Sequence, residues 1–598
     1  MIKRLKSNLK LLRTDFSAQV LLGLLIFLAV LPLIYGFPSK FIAYDTFGYY
    51  LYLPQFFIEG DIALSDPSAA QYAIDHYELS HVFYQAHDAE NGNLVIQYSS
   101  GMALVFLPFF LIGHCFAWML DYPMDGYSAP YHLALLIGGY FYTIVGLILL
   151  RKILRHFFNP LVSGLTLVVL LLGTNYLNIQ TQSIGMPHIY LFAFYSALIY
   201  FTIKWHQEQK LKYAIFIGIV LGWMVLIRPT EIFAVFIPIF WGIYDKVSFK
   251  EKFQLLWKNY RMLILCALAA GLMISIQLVY WKHTTGFWVY NSYRNPGEGL
   301  NLDHPHLLKF LFSYRKGWLL YTPLMFLPFI ALFLKTGSRN KWMWPLILFS
   351  IFTIYVSSCW SAWWYAASFS QRTMMQSYPL FALGIGALIQ YFLNKGKIKL
   401  VVFPVIGLFV VLSVFQTWQF MVHILPPDRI TKEYYWEVFG QTKLPDGAYD
   451  LLSIDRETAV FDPEKYEEYW SDEIVKEQHL EGVNEWGEGF KIPFEETCNQ
   501  DYCWYQVDFD AYVPEGSDAH QILVVCHFTY VDQAYAYTPM NLDQDQETVY
   551  NEWVHYTFHW ISAPVRLPED RFFAFIWSRQ EEIIFKNFKV TSFVEKDR

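Results

Sequence analysis

The chain has 598 residues, 55% of them apolar and 19% aromatic, a composition that excludes an ordinary soluble enzyme. Its formal net charge is only -8, opposite signs segregate along the chain, and no basic run suggests a nucleic-acid partner. Apolar runs of roughly the 17 to 25 residues that a spanning helix needs recur from Val20 to about Val422 and then stop, so the chain reads as a membrane protein.

The first run, 20–36, follows Lys3, Arg4, Lys6, Lys10 and Arg13, much as in a signal peptide. Its exit, FPSKF, has no small-x-small cleavage site, so a retained helix is expected. Lys and Arg stay on the cytoplasmic side in short loops, and six clusters hold 22 of the 44 basic residues. They are the N-terminal five; Arg151, Lys152 and Arg155; Lys204, Lys210 and Lys212; Lys246, Lys250, Lys252, Lys258 and Arg261; Lys335, Arg339 and Lys341; and Lys395, Lys397 and Lys399. The first precedes the first apolar run and each of the other five lies between two runs, which sends the intervening stretches outward.

The long outer stretch 37–131 contains one basic residue, Lys40, against ten Asp or Glu. Within it, FIAYDTFGYYLYLP puts Asp45 among aromatics where a membrane surface should lie. Asp45 can cap the following helix or act as a general base, because a carboxylate beside apolar rings is desolvated and can accept a proton from a hydroxyl. Tyr49, one turn later, is placed near a substrate, and the other rings of this segment suit an interfacial helix. The apolar run 101–120 would invert every later cluster if it spanned. Pro108 interrupts it, so an outer-surface or re-entrant segment is expected. Eleven spans remain, at 20–36, 132–150, 160–177, 187–203, 213–228, 230–244, 262–281, 317–334, 342–358, 374–393 and 400–422, with the N-terminus cytoplasmic and the C-terminus outside.

Further along, His188 begins the fourth span from the outer side. Arg228, in VLIRPTEIF, and Arg372, in WWYAASFSQRTMMQSYP, fall near the outer border, where arginine is costly unless it meets an anion or snorkels to headgroups. Two of them beside an acidic loop suggest a site for a phosphate-linked lipid, since guanidinium matches phosphate oxygens. Arg315, with Lys316 in FSYRKGWLLYTPLMF, can meet the same headgroup or anchor its helix. His283, His304 and His306 lack a ligand pattern, so no metal or cofactor is expected, although a divalent ion is conceivable.

After His423 the composition turns polar. Residues 423–497 read as a mixed connector, and alternating segments at 504–513, 520–531, 552–561, 571–578 and 582–593 read as strands of a β-sandwich spanning 498–598. Cys498 and Cys503 are close enough in sequence for a disulfide or two free thiols.

In order and sidedness, the first-loop Asp, QYSSGMALVFLPFFLIG, LIRPTE, YRKGWLLYTP and WWYAASFSQR resemble the GT-C superfamily of polyprenyl-phosphate-sugar-dependent glycosyltransferases, in particular bacterial protein O-mannosyltransferase and aminoarabinose-transferase types. The resemblance covers 1–422. It implies an all-α membrane domain of GT-C type in a bacterial inner membrane, and the C-terminal strands, expected outside the cytoplasm, separately resemble jelly-roll modules that bind carbohydrate. The GT-C resemblance also implies transfer, with inversion, of a sugar from a polyprenyl-phosphate carrier to a glycan, lipid or protein acceptor. By the same resemblance the acidic base falls on Asp45 and the phosphate contact on Arg372, with Arg228 as a second match. The usual Asp-Glu pair reads Asp45-Thr46 here, and the usual Pro-Pro reads Ser99-Ser100. The jelly-roll likeness offers Trp486, Trp504, Trp553 and Trp560 for sugar stacking or for the core. A polytopic transporter or flippase of an anionic or lipid-linked saccharide, and a glycan-binding protein merely anchored by helices, are the rival readings.

Overall fold

The computed structural model describes residues 15–35, 40–293, 299–334, 338–530, 533–544, 548–565 and 567–596. The N-terminal basic cluster and Lys335 lie outside the described residues. Contacts divide the chain into two units, a helical one reaching to Leu452 and a strand-rich one beginning at Ser453.

In the helical unit the apolar runs form helices whose starts follow local rules. Pro130, Pro160, Pro187 and Pro379 occupy first-turn positions, where a missing N–H costs nothing. Asn159 caps Pro160–Leu172 by accepting from the N–H of Val162 at 2.9 Å. Among the described residues five helices are long and apolar enough to cross a membrane: Phe16–Ile34, Gly101–Met119, Ala129–Phe157, Tyr260–Thr285 and Gly396–Met421. Pro160–Leu172 and Tyr176–Gln182 make a sixth if their 57° bend is counted as one span. Tyr260–Thr285 leaves Leu268 and Leu272 63% and 71% exposed, an apolar surface that suits lipid. Its opposite face meets Leu211–Ile227 backbone to backbone: a Cβ on Gly222 would lie 2.5 Å from the carbonyl oxygen of Ala270, so glycine is required there.

The expected eleven spans are not all single helices. The segment at 230–244 is a 3-10 turn, Pro229–Val235, followed by Phe236–Phe240, and the one at 317–334 breaks into Trp318–Tyr321, Pro323–Phe326 and Leu327–Ala331. The prolines that open these pieces remove backbone donors and end the preceding helices. A second correction concerns Pro108, which does not interrupt its run: Gly101–Met119 is one continuous helix. Even so, both its flanking loops return to one short stretch of the first loop. Tyr52 donates its hydroxyl to the carbonyl of Tyr98 and Tyr50 to that of Gly126, each at 2.6 Å. A helix through the bilayer would leave those loops on opposite sides, so these bonds favour a helix whose two ends stay on the side of the first loop.

The first loop folds as Asp45–Tyr50, Tyr52–Pro54 and the π-turn Gln55–Glu59, then Ser68–Tyr77 and a small hairpin, β1 (Ala86–Asp88) with β2 (Leu94–Ile96). On the other flank of the bundle, Lys246–Lys258 is an amphipathic helix opened by an Asp245–Ser248 capping box. It exposes Phe249, Phe253 and Trp257 along one face.

The second unit is a sandwich of two antiparallel sheets. One has the order β5 (Phe490–Pro493), β10 (Arg571–Trp577), β7 (Leu523–Tyr530), β8 (Gln533–Asn541). The other has the order β3 (Tyr466–Ile474), β11 (Ile583–Glu595), β6 (Trp504–Tyr512), β9 (Trp553–Ile561), with β4 (Gln478–Leu480) also pairing β11. Strict alternation in β6 buries Tyr505, Val507, Phe509 and Ala511 on one face. The ring of Tyr505 stacks on Phe572 of the facing sheet at 3.7 Å. Trp504 and Trp560 are core residues, whereas Trp486 and Trp553 are about half exposed, so the four expected tryptophans do not form one face. All six cysteines are free thiols, with Cys498 and Cys503 both buried.

Candidate active site

Asp45 is the first residue of Asp45–Tyr50, but the preceding Tyr44 holds the cap position and no side chain caps the helix. The capping role therefore falls away. Instead the Asp45 carboxylate points into the loop's own polar centre, where its Oδ1 accepts the hydroxyls of Tyr84 and Tyr98, both at 2.8 Å. Its Oδ2 lies 3.7 Å from the guanidinium of Arg372, contributed by a segment more than 300 residues later. Both residues line one cavity of about 1080 Å3, walled also by Phe41, Tyr44, Tyr84, Met186 and Ala366.

Backbone strain flanks this pair on both sides. Tyr44 stands at φ 49°, and Tyr365, Ala366 and Ser370, just ahead of Arg372, at 52°, 52° and 57°. Such conformations in residues with a Cβ persist only where surrounding structure enforces them. The enforcing contacts are specific. The N–H of Tyr44 donates to the carbonyl of Leu79 at 2.8 Å. Ahead of Arg372, Gln371 donates its side-chain amide to the carbonyl of Trp363 at 3.1 Å, and Asn175 donates to that of Gln371 at 3.2 Å.

Arg315 and Lys316 belong to this scaffold. Arg315 makes a bidentate pair with Asp428 at 2.7 and 2.9 Å and stacks over Trp364 at 3.9 Å, and it does not line the cavity. Lys316 is buried and donates to the carbonyls of Ser368 and Pro427. Their chemistry is that of posts holding the segment 363–371 in place.

Tyr49 is buried against Tyr98, ring centroids 4.4 Å apart, and is not part of the cavity wall. Burial first, and then the Asp45 charge, hold its hydroxyl well above the usual tyrosine range, against the opposing pull of Arg228 and Arg372. Burial and Asp45 raise Tyr84 and Tyr98 likewise, so all three remain proton donors at any ordinary pH.

His188 and Arg228 lie behind the cavity rather than on it. The buried His188 Nδ1 is 2.8 Å from Oε1 of Gln376, whose amide nitrogen donates to Glu231. With its nitrogen so engaged, Gln376 presents its oxygen, which assigns the proton to His188 Nδ1. Glu231 also accepts the hydroxyl of Tyr195 at 2.5 Å, and Arg228 shares a narrow crevice with Glu231 and Gln376. Sequence reasoning missed Tyr84, Tyr98, Glu231 and Gln376. Glu231 was findable, as an acid inside an apolar run is costly without partners. Among the described residues, one trio has metal-ligand spacing: His479, Glu481 and Glu582, in the second unit.

Residues 130–281 match the family described as dolichyl-phosphate-mannose-protein mannosyltransferase. The resemblance to GT-C glycosyltransferases read from the motifs is thus shared by an independent match within the helical unit. No curated protein matches the chain. Among solved structures, the chain is similar to ArnT from Cupriavidus metallidurans bound to undecaprenyl phosphate, at 12% identity over 69% of this chain and 68% of that one, with a TM-score of 0.40.

Proposed function

We propose that the protein is a membrane glycosyltransferase that moves a sugar from a polyprenyl-phosphate carrier to a hydroxyl on an extracytoplasmic acceptor, with inversion. The observation that carries this reading is the meeting of Asp45 and Arg372 at 3.7 Å on the wall of one cavity. The acceptor hydroxyl gives its proton to Asp45 as its oxygen attacks the anomeric carbon. The bond from that carbon to the carrier's phosphate oxygen breaks, and its electron pair leaves on the phosphate. Arg372 holds the added negative charge, a fixed cation aimed where charge develops. Tyr84 and Tyr98 fix the carboxylate by occupying Oδ1, which leaves Oδ2 for the incoming proton. Arg228 and His188, with Tyr49, support the electrostatics from behind, and Arg315 holds the loop that carries Arg372.

The test is release of label from radiolabelled polyprenyl-phosphate hexoses and pentoses by the purified full-length protein. Wild type is expected to pass at least one of these sugars to acceptor or water, and Asp45→Asn to lose at least about 100-fold in rate, the lower range for a general base. Equal turnover by the two proteins would remove Asp45 from the chemistry.

A further inference from the structure

A second charged cavity, of about 380 Å3, opens at the far end of the helices that carry the first. His132, near the start of Ala129–Phe157, accepts the N–H of Phe41, a wall residue of the Asp45 cavity, at 3.1 Å. Arg151, Lys152 and Arg155 follow about twenty residues later, roughly 30 Å along the axis. Helix Pro187–Glu208 repeats the measure: Met186 lines the first cavity and Lys204 the second. That spacing matches the hydrocarbon thickness of a bilayer, about 30 Å, so the second cavity sits at headgroup depth in the opposite leaflet.

Its lining carries four permanent cations, Arg151, Lys152, Arg155 and Lys204, against one carboxylate, Asp15. Asp15 is already committed, at 2.8 Å to Arg151 and 3.3 Å to Arg155. Lys152 and Lys204 both face the ring of Tyr200, at 5.9 and 6.0 Å from its centroid. The carboxylate nearest Lys204, that of Glu208, stands 3.9 Å away and is held more closely by Lys210, at 2.8 Å. Among the described residues no carboxylate pairs with Lys152. Both ammonium groups sit near one ring at the edge of a low-dielectric region, where an anion in the cavity would offset their charge.

We propose that this cavity is a binding site for a phosphate ester, held between Lys152 and Lys204 with the Arg151–Asp15–Arg155 cluster as its floor. Its depth suits the headgroup of an anionic phospholipid, and the same chemistry would take a soluble phosphate ester. The site is separate from glycosyl transfer, and its test does not read transfer.

The purified full-length protein is delipidated and examined by native mass spectrometry with phosphatidylglycerol, with phosphatidylcholine and with glycerol phosphate. Wild type is expected to retain phosphatidylglycerol over phosphatidylcholine, with retention falling as salt rises. The double variant Lys152→Ala/Lys204→Ala is expected to lose at least about tenfold in affinity, from the electrostatic worth of two basic residues near a membrane surface. The charge-keeping Lys152→Arg/Lys204→Arg is expected to retain it, which guards against a folding defect in the alanine protein. Binding of glycerol phosphate as tight as that of the lipid, and lost in the alanine variant, would assign the site to the soluble ester. Equal retention of phosphatidylglycerol by wild type and a folded alanine variant, with no glycerol phosphate bound, would overturn the proposal, as would its loss from the arginine variant.

Discussion

The two oxygens of Asp45 are not equivalent: Oδ1 takes two tyrosine hydroxyls and Oδ2 faces Arg372. In the proposed reaction Arg372 serves an anion in two states, the resting carboxylate and the departing phosphate. A planar fork can do both, and a point charge on a flexible stem does so less well. Arg372→Lys is expected to lower kcat/KM roughly 10- to 100-fold, and Arg372→Ala roughly 100- to 1000-fold. The loss should fall mainly on kcat, because the charge it answers develops as the bond breaks. A change confined to KM, measured with the same lipid-sugar donor, would assign Arg372 to binding alone. Asp45 and Arg372 were legible in the sequence because a charge at a membrane border is costly and needs a reason. Tyr84 and Tyr98 were not, since they are two of 43 tyrosines and only the folded loop turns their hydroxyls toward Asp45.

Between these residues and the bundle stand the elements that hold them. The segment 363–371 has little regular structure and three strained residues, so its shape comes from its partners. Asp428 acts on it through Arg315, which it pairs with and which stacks over Trp364. Burial would raise its carboxyl, but the hydrogen bonds and charge of Arg315, together with Lys316, outweigh burial and hold it below the ordinary range. The stabilisation is therefore full above the unfolded carboxyl value, near 3.9, and is lost as pH falls through that value toward the lower folded one. Asp428→Asn is expected to cost about 1–2 kcal/mol at neutral pH, allowing for partial exposure of the pair. Thermal unfolding in detergent at pH 7 and below pH 3 checks it: the gap between wild type and variant should close in acid. At this scale the helices were legible as apolar runs, but their breaks were not. Hydropathy is blind to whether a helix runs on past a proline, as at Pro108, or stops short of one, as before Pro229 and Pro323. The strands were legible where alternation is strict, as in β6, and missed in β3, where mostly exposed positions leave no pattern.

For the whole molecule, the charge pattern of the sequence and the two cavities of the helical unit make the same statement about sidedness. Three first-loop acids, Asp45, Asp75 and Glu78, line the first cavity beside Lys40 and Arg372, and four basic residues line the other beside Asp15, roughly 30 Å away along two helices. If that separation tracks the bilayer, single cysteines in a Cys115→Ser background should label by compartment. A membrane-impermeant maleimide applied to intact spheroplasts is expected to reach Asp75→Cys, at the first cavity, and Val483→Cys, a fully exposed site in the second unit. Lys250→Cys, on the amphipathic helix Lys246–Lys258, should react only after permeabilisation. The decisive position is Asp121→Cys, just past Gly101–Met119. By length and composition that helix could cross, which would carry Asp121 to the side of Lys250. The bonds from Tyr50 and Tyr52 to the loops at its two ends instead keep Asp121 with Asp75. Labelling of Asp121→Cys from outside therefore fits a helix lying along the outer face. Labelling only after permeabilisation would make it a span, and the alternation of charged clusters would then have to be counted again from that point.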